Sequence, residues 1–459
     1  MEPDRVLRYL TEEGYAALME FVDTAFARQL VASGALVENT LVTDDSAPLA
    51  DAPCVDQHRR FSRVVSHPRL PFVSYPSEWG PRQLFDAASL TLELAEKALE
   101  HGFILKDATP YNLVFRGSAP VFVDVPSFAQ RGTEVSAWPA GGQFSRMFLL
   151  PLLAHKLRLP NVRGAFLTHR DGMQASELAE LPFLTKYFRR GYMSMVAVPT
   201  LLSRMSKTVS TEPRWEPKAG SEEKALYTLR WILASFRRQL RAVEPRQARA
   251  THWADYQRRV PSYSESEFAE KSRFVTAVLH EIKPRNVLDV GCNEGLFSKE
   301  AAKAGAAVVA FDQDAGVIDA LYKEARDSGR NIHPLVIDLG RPTPSIGWRN
   351  HENLSFLDRA RGSFDFVLAL AVLHHLLVTE GVPLVDALRL FAELTSRYVL
   401  LEFIDPKDAL FQSLLHGREN IHSYLSREHF EQVASEHFEI VQRCEVKSGL
   451  RFVYLLARR

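Results

Sequence analysis

Three acidic side chains stand at the ends of apolar stretches: Asp289 within NVLDV (286–290), Asp312 after AVVAF (307–311) and Asp338 after HPLVI (333–337). Between the first two lies the turn D-V-G-C-N-E-G, residues 289–295. Gly291 and Gly295 let the backbone bend tightly and approach a ligand where a Cβ would collide. Amides opening the following helix suit a carboxylate as well as a phosphate. Such a turn serves a phosphate-bearing dinucleotide or a methyl-donating nucleoside, and the acids speak to the choice. Asp312 offers a carboxylate to both hydroxyls of a ribose, and Asp338 offers one to the exocyclic amine of an adenine. Asn293 occupies the place where a dinucleotide fingerprint often carries a second glycine.

Further along, FVLALAVLHHLL brings His374 and His375 after a fourth strand candidate (365–370), and RYVLLEFIDP brings Glu402 near the end of a fifth (397–403). Ligands of open α/β sheets lie outside the carboxyl ends of the strands, so these side chains are candidates for chemistry. A histidine moves a proton near neutral pH, and a carboxylate orients an amine or a hydroxyl. Packing and hydrogen bonding are the alternative roles for all three. A metal site is not expected, because adjacent helix positions point about 100° apart and no third ligand is evident. Cys54, Cys292 and Cys444 form no CxxC or zinc pattern.

The elements that position these residues alternate strand and helix, which argues for a parallel sheet with helices on both faces. Two last strand candidates, 438–444 and 451–457, are separated only by EVKSGL and fit a hairpin. Ahead of the sheet, SESE opens a helix with Ser and Glu at capping distance. The polar stretch 206–224 reads as a linker, and the amphipathic stretch after it as a connecting helix. The division expected is residues 1–205, a linker and helical connector over 206–250, and 251–459.

This pattern over about residues 252–459 resembles the class I S-adenosylmethionine (SAM) dependent methyltransferases. The resemblance implies a seven-stranded Rossmann-like sheet whose last strand runs antiparallel, with SAM as cofactor. It assigns Asp289, Gly291, Cys292, Asn293 and Gly295 to the methionine-side loop and Asp312 with Gln313 to the ribose. Asp338 with Leu339 would flank the adenine, and Leu370 would be a further contact. The stretch holding Trp253, Tyr256 and Tyr263 would be a lid, its aromatic rings covering the sulfonium, or else an ordinary packed extension. Methyl transfer is an in-line displacement on an activated donor, so the protein chiefly aligns the two reactants. His374, His375 and Glu402 would then face the acceptor. A Rossmann domain for a nicotinamide or a nucleotide sugar is the alternative.

In the front half, FILKDATPYNLVFRGSAPVFVDVPSF places Asp107, Asn112 and Asp124 five and twelve residues apart. Over about residues 70–130 this resembles the catalytic loop of protein-kinase-like phosphotransferases, which implies a base and two metal ligands at those positions. The likeness is incomplete: no glycine-rich loop or strand with a nucleotide-binding Lys is visible, and Val125 and Pro126 replace Phe and Gly. A degenerate α+β kinase-like module that binds or presents substrate is the expectation. The same front end resembles a bacterial family of nodulation-like methyltransferases.

Fifty-six basic residues balance fifty-six acidic ones, so no net field favours nucleic acid or an anionic membrane. No apolar stretch has the length and freedom from charge of a membrane span. The reading is a cytoplasmic SAM-dependent methyltransferase acting on a small molecule of specialised metabolism, with the O, N or C acceptor and the oligomeric state open. A bifunctional kinase and methyltransferase, or a SAM-binding regulator without turnover, are the alternatives.

Overall fold

The computed structural model describes residues 5–42, 61, 63–159, 162–169, 171–182, 184–189, 191–205, 221–245, 263–415, 422 and 424–459. The polar linker over 206–220 lies outside them, as do Trp253 and Tyr256. The chain divides into two compact units, one of Met1–Ser77, Pro81–Arg116 and Pro120–Arg246, the other of Glu78–Gly80, Gly117–Ala119 and Gln247–Arg459. No described helix is long and apolar enough to cross a membrane.

In the first unit, β1 (Arg5–Leu10), β2 (Thr40–Leu41) and β3 (Arg63–Pro68) form an antiparallel sheet in the order β1-β3-β2. Helices Glu12–Val22 and Ala25–Ala32 start where Thr11 and Thr24 accept backbone N–H bonds. The long helix Pro81–Glu100 buries Leu84, Ala88, Leu92, Ala95 and Leu99, one stripe at helical spacing. After it, β4 (Phe103–Leu105), β5 (Leu113–Arg116), β6 (Ala119–Phe122) and β7 (Phe128–Gln130) make two short pairs, β4 with β7 and β5 with β6. Phe21 stacks on Phe128 with centroids 4.2 Å apart, joining the first helix to β7. These helices and short strands give the α+β content expected of the front half, whereas the β1–β3–β2 sheet and the β4–β7 pair were not anticipated. The connecting helix spans Glu222–Ala242, so its first turn lies inside the stretch read as linker, capped by Ser221.

The second unit holds a seven-stranded sheet in the order β10-β9-β8-β11-β12-β14-β13. Its strands are β8 (Asn286–Val290), β9 (Ala307–Asp312), β10 (Ile332–Val336), β11 (Phe364–Ala369), β12 (Thr395–Ile404), β13 (Phe438–Lys447) and β14 (Arg451–Arg458). The first five are parallel, and β14 runs antiparallel to both β12 and β13. This is the expected sheet, with β10 and β11 each one residue earlier than read and β9 running on through Asp312. Helix Glu265–Ile282 opens with a full capping box, Ser264 and Glu267 each accepting the other's backbone N–H. Its inward stripe is Lys271, Val275, Val278 and Leu279. An amine in an otherwise apolar stripe demands a buried partner.

Candidate active site

β8 and β9 pair in parallel with Asp289 opposite Ala310, so the turn after β8 opens beside the end of β9. In that turn Gly291, Asn293 and Gly295 all hold positive φ, at 64°, 48° and 70°. A Cβ on Gly291 would stand 2.7 Å from Val372 Cγ2, and one on Gly295 2.5 Å from Leu321 Cδ1. Both positions therefore need glycine for conformation and for space.

Asp312 accepts the Asn293 N–H at 3.1 Å on Oδ2 and the Asp314 N–H at 2.9 Å on Oδ1. These bonds fix the carboxylate while leaving one lone pair on each oxygen, which is what a vicinal diol requires. Burial raises its pKa. Asp289 is buried, accepts the Ser298 hydroxyl at 2.5 Å, and has its pKa pushed up to about 7, first by desolvation. Cys292 is buried, and desolvation with the neighbouring Asp289 and Asp312 charges holds its thiol protonated. Gln313 is exposed beside Asp312. Asp338, just beyond β10, accepts the Gly340 N–H at 2.9 Å and Arg341 Nε at 3.1 Å, and Arg341 also reaches Glu380. Leu339 follows half-buried, and Leu370 is buried at the end of β11. The positive-φ turn and the doubly braced acid fit the ribose and methionine portions of SAM.

At the end of β11 the backbone passes through Ala371 at φ 55° and enters helix Leu373–Val378. His374 is buried with neither ring nitrogen hydrogen-bonded to a described residue, and burial drives its pKa well below the usual imidazole value. The charges of His375, Arg451 and Lys271 act in the same direction. His375 lies half-buried with its ring 4.3 Å from that of His374, and burial lowers its pKa too. Both rings are neutral at pH 7.

Glu402 is fully buried, with both carboxylate oxygens engaged. Oε2 accepts Lys271 Nζ at 2.7 Å, and Oε1 accepts the Tyr263 hydroxyl. Tyr263 in turn accepts from Lys271 at 3.2 Å and lies with its ring 4.4 Å from the Arg451 guanidinium. Arg451 donates twice to Asp408, at 2.9 and 2.7 Å. Sequence reading offered Tyr263 as part of a lid or of a packed extension, and Glu402 as facing the acceptor or as packing and hydrogen bonding; the structure ties the two to each other. Lys271, Asp408 and Arg451 escaped that reading altogether. For Lys271 the signal was a charge at helical spacing from the buried Val275, Val278 and Leu279, and for Arg451 a charge opening the apolar run FVYLLA.

A sheet of this order, with a positive-φ turn after its first strand and an acid closing its second, agrees with a SAM-dependent methyltransferase domain, with SAM as its cofactor. Residues 246–442 match the methyltransferase domain family. The nodulation protein NoeA of Rhizobium meliloti (strain 1021) is 28% identical over 461 aligned residues, covering 99% of this chain and 92% of that protein. The O-antigen chain terminator bifunctional methyltransferase/kinase WbdD of Escherichia coli is 29% identical over 134 residues, 28% of this chain and 16% of that one. Magnesium protoporphyrin IX methyltransferase of Synechocystis, solved with SAM, aligns at 18% identity and a TM-score of 0.31 over 46% of this chain and 93% of that one.

Proposed function

We propose that this chain moves the methyl group of SAM to a small molecule of bacterial specialised metabolism, in the cytoplasm. The observation that carries the reading is Asp312, held at the mouth of the positive-φ turn by the Asn293 and Asp314 amides with lone pairs still free. Likeness to a nodulation protein over nearly the whole chain supports a specialised acceptor. Equal numbers of basic and acidic residues argue against a nucleic acid.

When bound, SAM supplies a methyl group already activated on a sulfonium. The turn from Asp289 to Gly295 holds its amino-acid end, Asp312 and Gln313 its ribose, and Asp338, Leu339 and Leu370 the adenine side. In this reading Asp289 faces the ligand's ammonium. Its pKa of about 7 without ligand falls when that cation sits beside it. Binding below pH 7 thus requires loss of a proton. Affinity is full above pH 7 and drops by up to about tenfold per pH unit below it. Calorimetry with S-adenosylhomocysteine between pH 8 and 5.5 should show this slope, and Asp289→Asn should flatten it.

His374 and His375, neutral beyond β11, accept a proton or a hydrogen bond from the acceptor. Glu402, Lys271 and Tyr263 act as positioning residues that fix the acceptor side of the pocket. We expect His374→Ala or His375→Ala to lower kcat roughly 10- to 100-fold with SAM affinity nearly unchanged. Wild-type turnover in both variants would move the proton-handling site elsewhere. The function itself is tested by incubating the full chain with methyl-labelled SAM and a bacterial small-molecule extract. Label should enter a low-mass product, and none should enter in the absence of the chain.

A further inference from the structure

The kinase-like spacing of Asp107, Asn112 and Asp124 implies a divalent cation held by the last two. The side chains around them do not fit one. Asp124 Oδ1 accepts Arg8 Nη1 at 2.7 Å, and Oδ2 accepts the Ser127 hydroxyl. Asn112 Nδ2 points to the same hydroxyl, 3.4 Å away. A hard cation needs several oxygen ligands clear of competing charge, and the Asp124 carboxylate already carries the Arg8 cation and the Ser127 hydroxyl, while Asp107 Oδ1 is buried without a hydrogen-bond partner among the described residues. Among the described residues no cluster of three or more His, Cys, Asp or Glu side chains is arranged to hold a metal.

Arg8 reaches Asp124 because of strand register. In the β1–β3 ladder Val6 lies opposite His67 and Arg8 opposite Val65, which sets Arg8 and His67 on one face of the sheet. His67 is buried there, its Nδ1 against the Glu38 carbonyl at 3.1 Å and its Nε2 unpartnered. The charges of Arg8 and Asp124 both reach it. The sheet thus directs a fixed cation onto the acid that a phosphotransferase would reserve for its metal.

We propose that the Arg8 guanidinium stands in for the divalent cation at Asp124, so that this site binds no metal–nucleotide complex and performs no phosphoryl transfer. A guanidinium neutralises the carboxylate permanently and directionally. It cannot bridge two phosphates or complete its shell with their oxygens, as a metal does. A second cation brought to Asp124 would meet the like charge of Arg8 beside whichever lone pairs remain.

Manganese with ATP, followed by electron paramagnetic resonance on the full chain, tests this. The wild-type protein should show no Asp124-dependent site. Arg8→Gln should create one at least tenfold tighter than any wild-type binding, and adding Asp124→Asn should abolish it. Arg8→Lys keeps the charge and should stay metal-free, which separates a vacated charge from a disturbed fold. Manganese–ATP binding by the wild-type chain that Asp124→Asn removes would overturn the proposal. So would a folded Arg8→Gln that gains no site, or ATP turnover lost on Asp107→Asn.

Discussion

Lys271→Met is expected to destabilise the chain by about 3–5 kcal/mol, read from urea unfolding followed in the second unit, because it leaves a buried carboxylate without its cation. Glu402 has no exposure and Lys271 almost none, and their 2.7 Å bond lies inside the unit. Water cannot replace the ammonium at that depth without opening the helix Glu265–Ile282. The double variant Lys271→Met with Glu402→Leu should recover most of the loss, since an apolar pair of similar volume removes both desolvation costs. A cost under about 1 kcal/mol for Lys271→Met alone would mean that Glu402 needs no cation. The pair would then lose its role as the anchor of the acceptor side.

Asp312→Ala should weaken SAM binding by about 2–3 kcal/mol, roughly 30- to 150-fold in Kd, with little change in melting temperature. The variant removes a charged acceptor for two hydroxyls and frees the Asn293 and Asp314 amides it now orients. Those residues sit partly exposed beyond the carboxyl ends of β8 and β9, so water satisfies their amides in the folded variant. Asp312→Asn keeps the shape and one acceptor oxygen and should lose less. Unchanged affinity in both would remove Asp312 from the ribose site.

Strand positions were legible because each crossover strand is a short apolar run bounded by polar residues and because the short EVKSGL fits a hairpin, while the antiparallel last strand came from the family resemblance. The turn was legible through its glycines, whose positive φ and crowded Cβ positions leave few substitutes. The charge network was not. Lys271 and Asp408 lie 137 residues apart and Asp408 and Arg451 lie 43 apart, and only the fold brings their side chains together. Glu402 shows the same limit from the other side: strand position predicted its edge of the sheet, but not that Lys271 and Tyr263 would occupy both its oxygens. Arg8 was unreadable for a related reason. Its meeting with Asp124 spans 116 residues and depends on β1–β3 register.

The most direct test of the account is calorimetric titration of the full chain with S-adenosylhomocysteine and, separately, with NAD. The sheet, the turn and Asp312 predict stoichiometric binding of S-adenosylhomocysteine that Asp312→Ala weakens, and no binding of NAD. Tight NAD binding with no response to S-adenosylhomocysteine would contradict it.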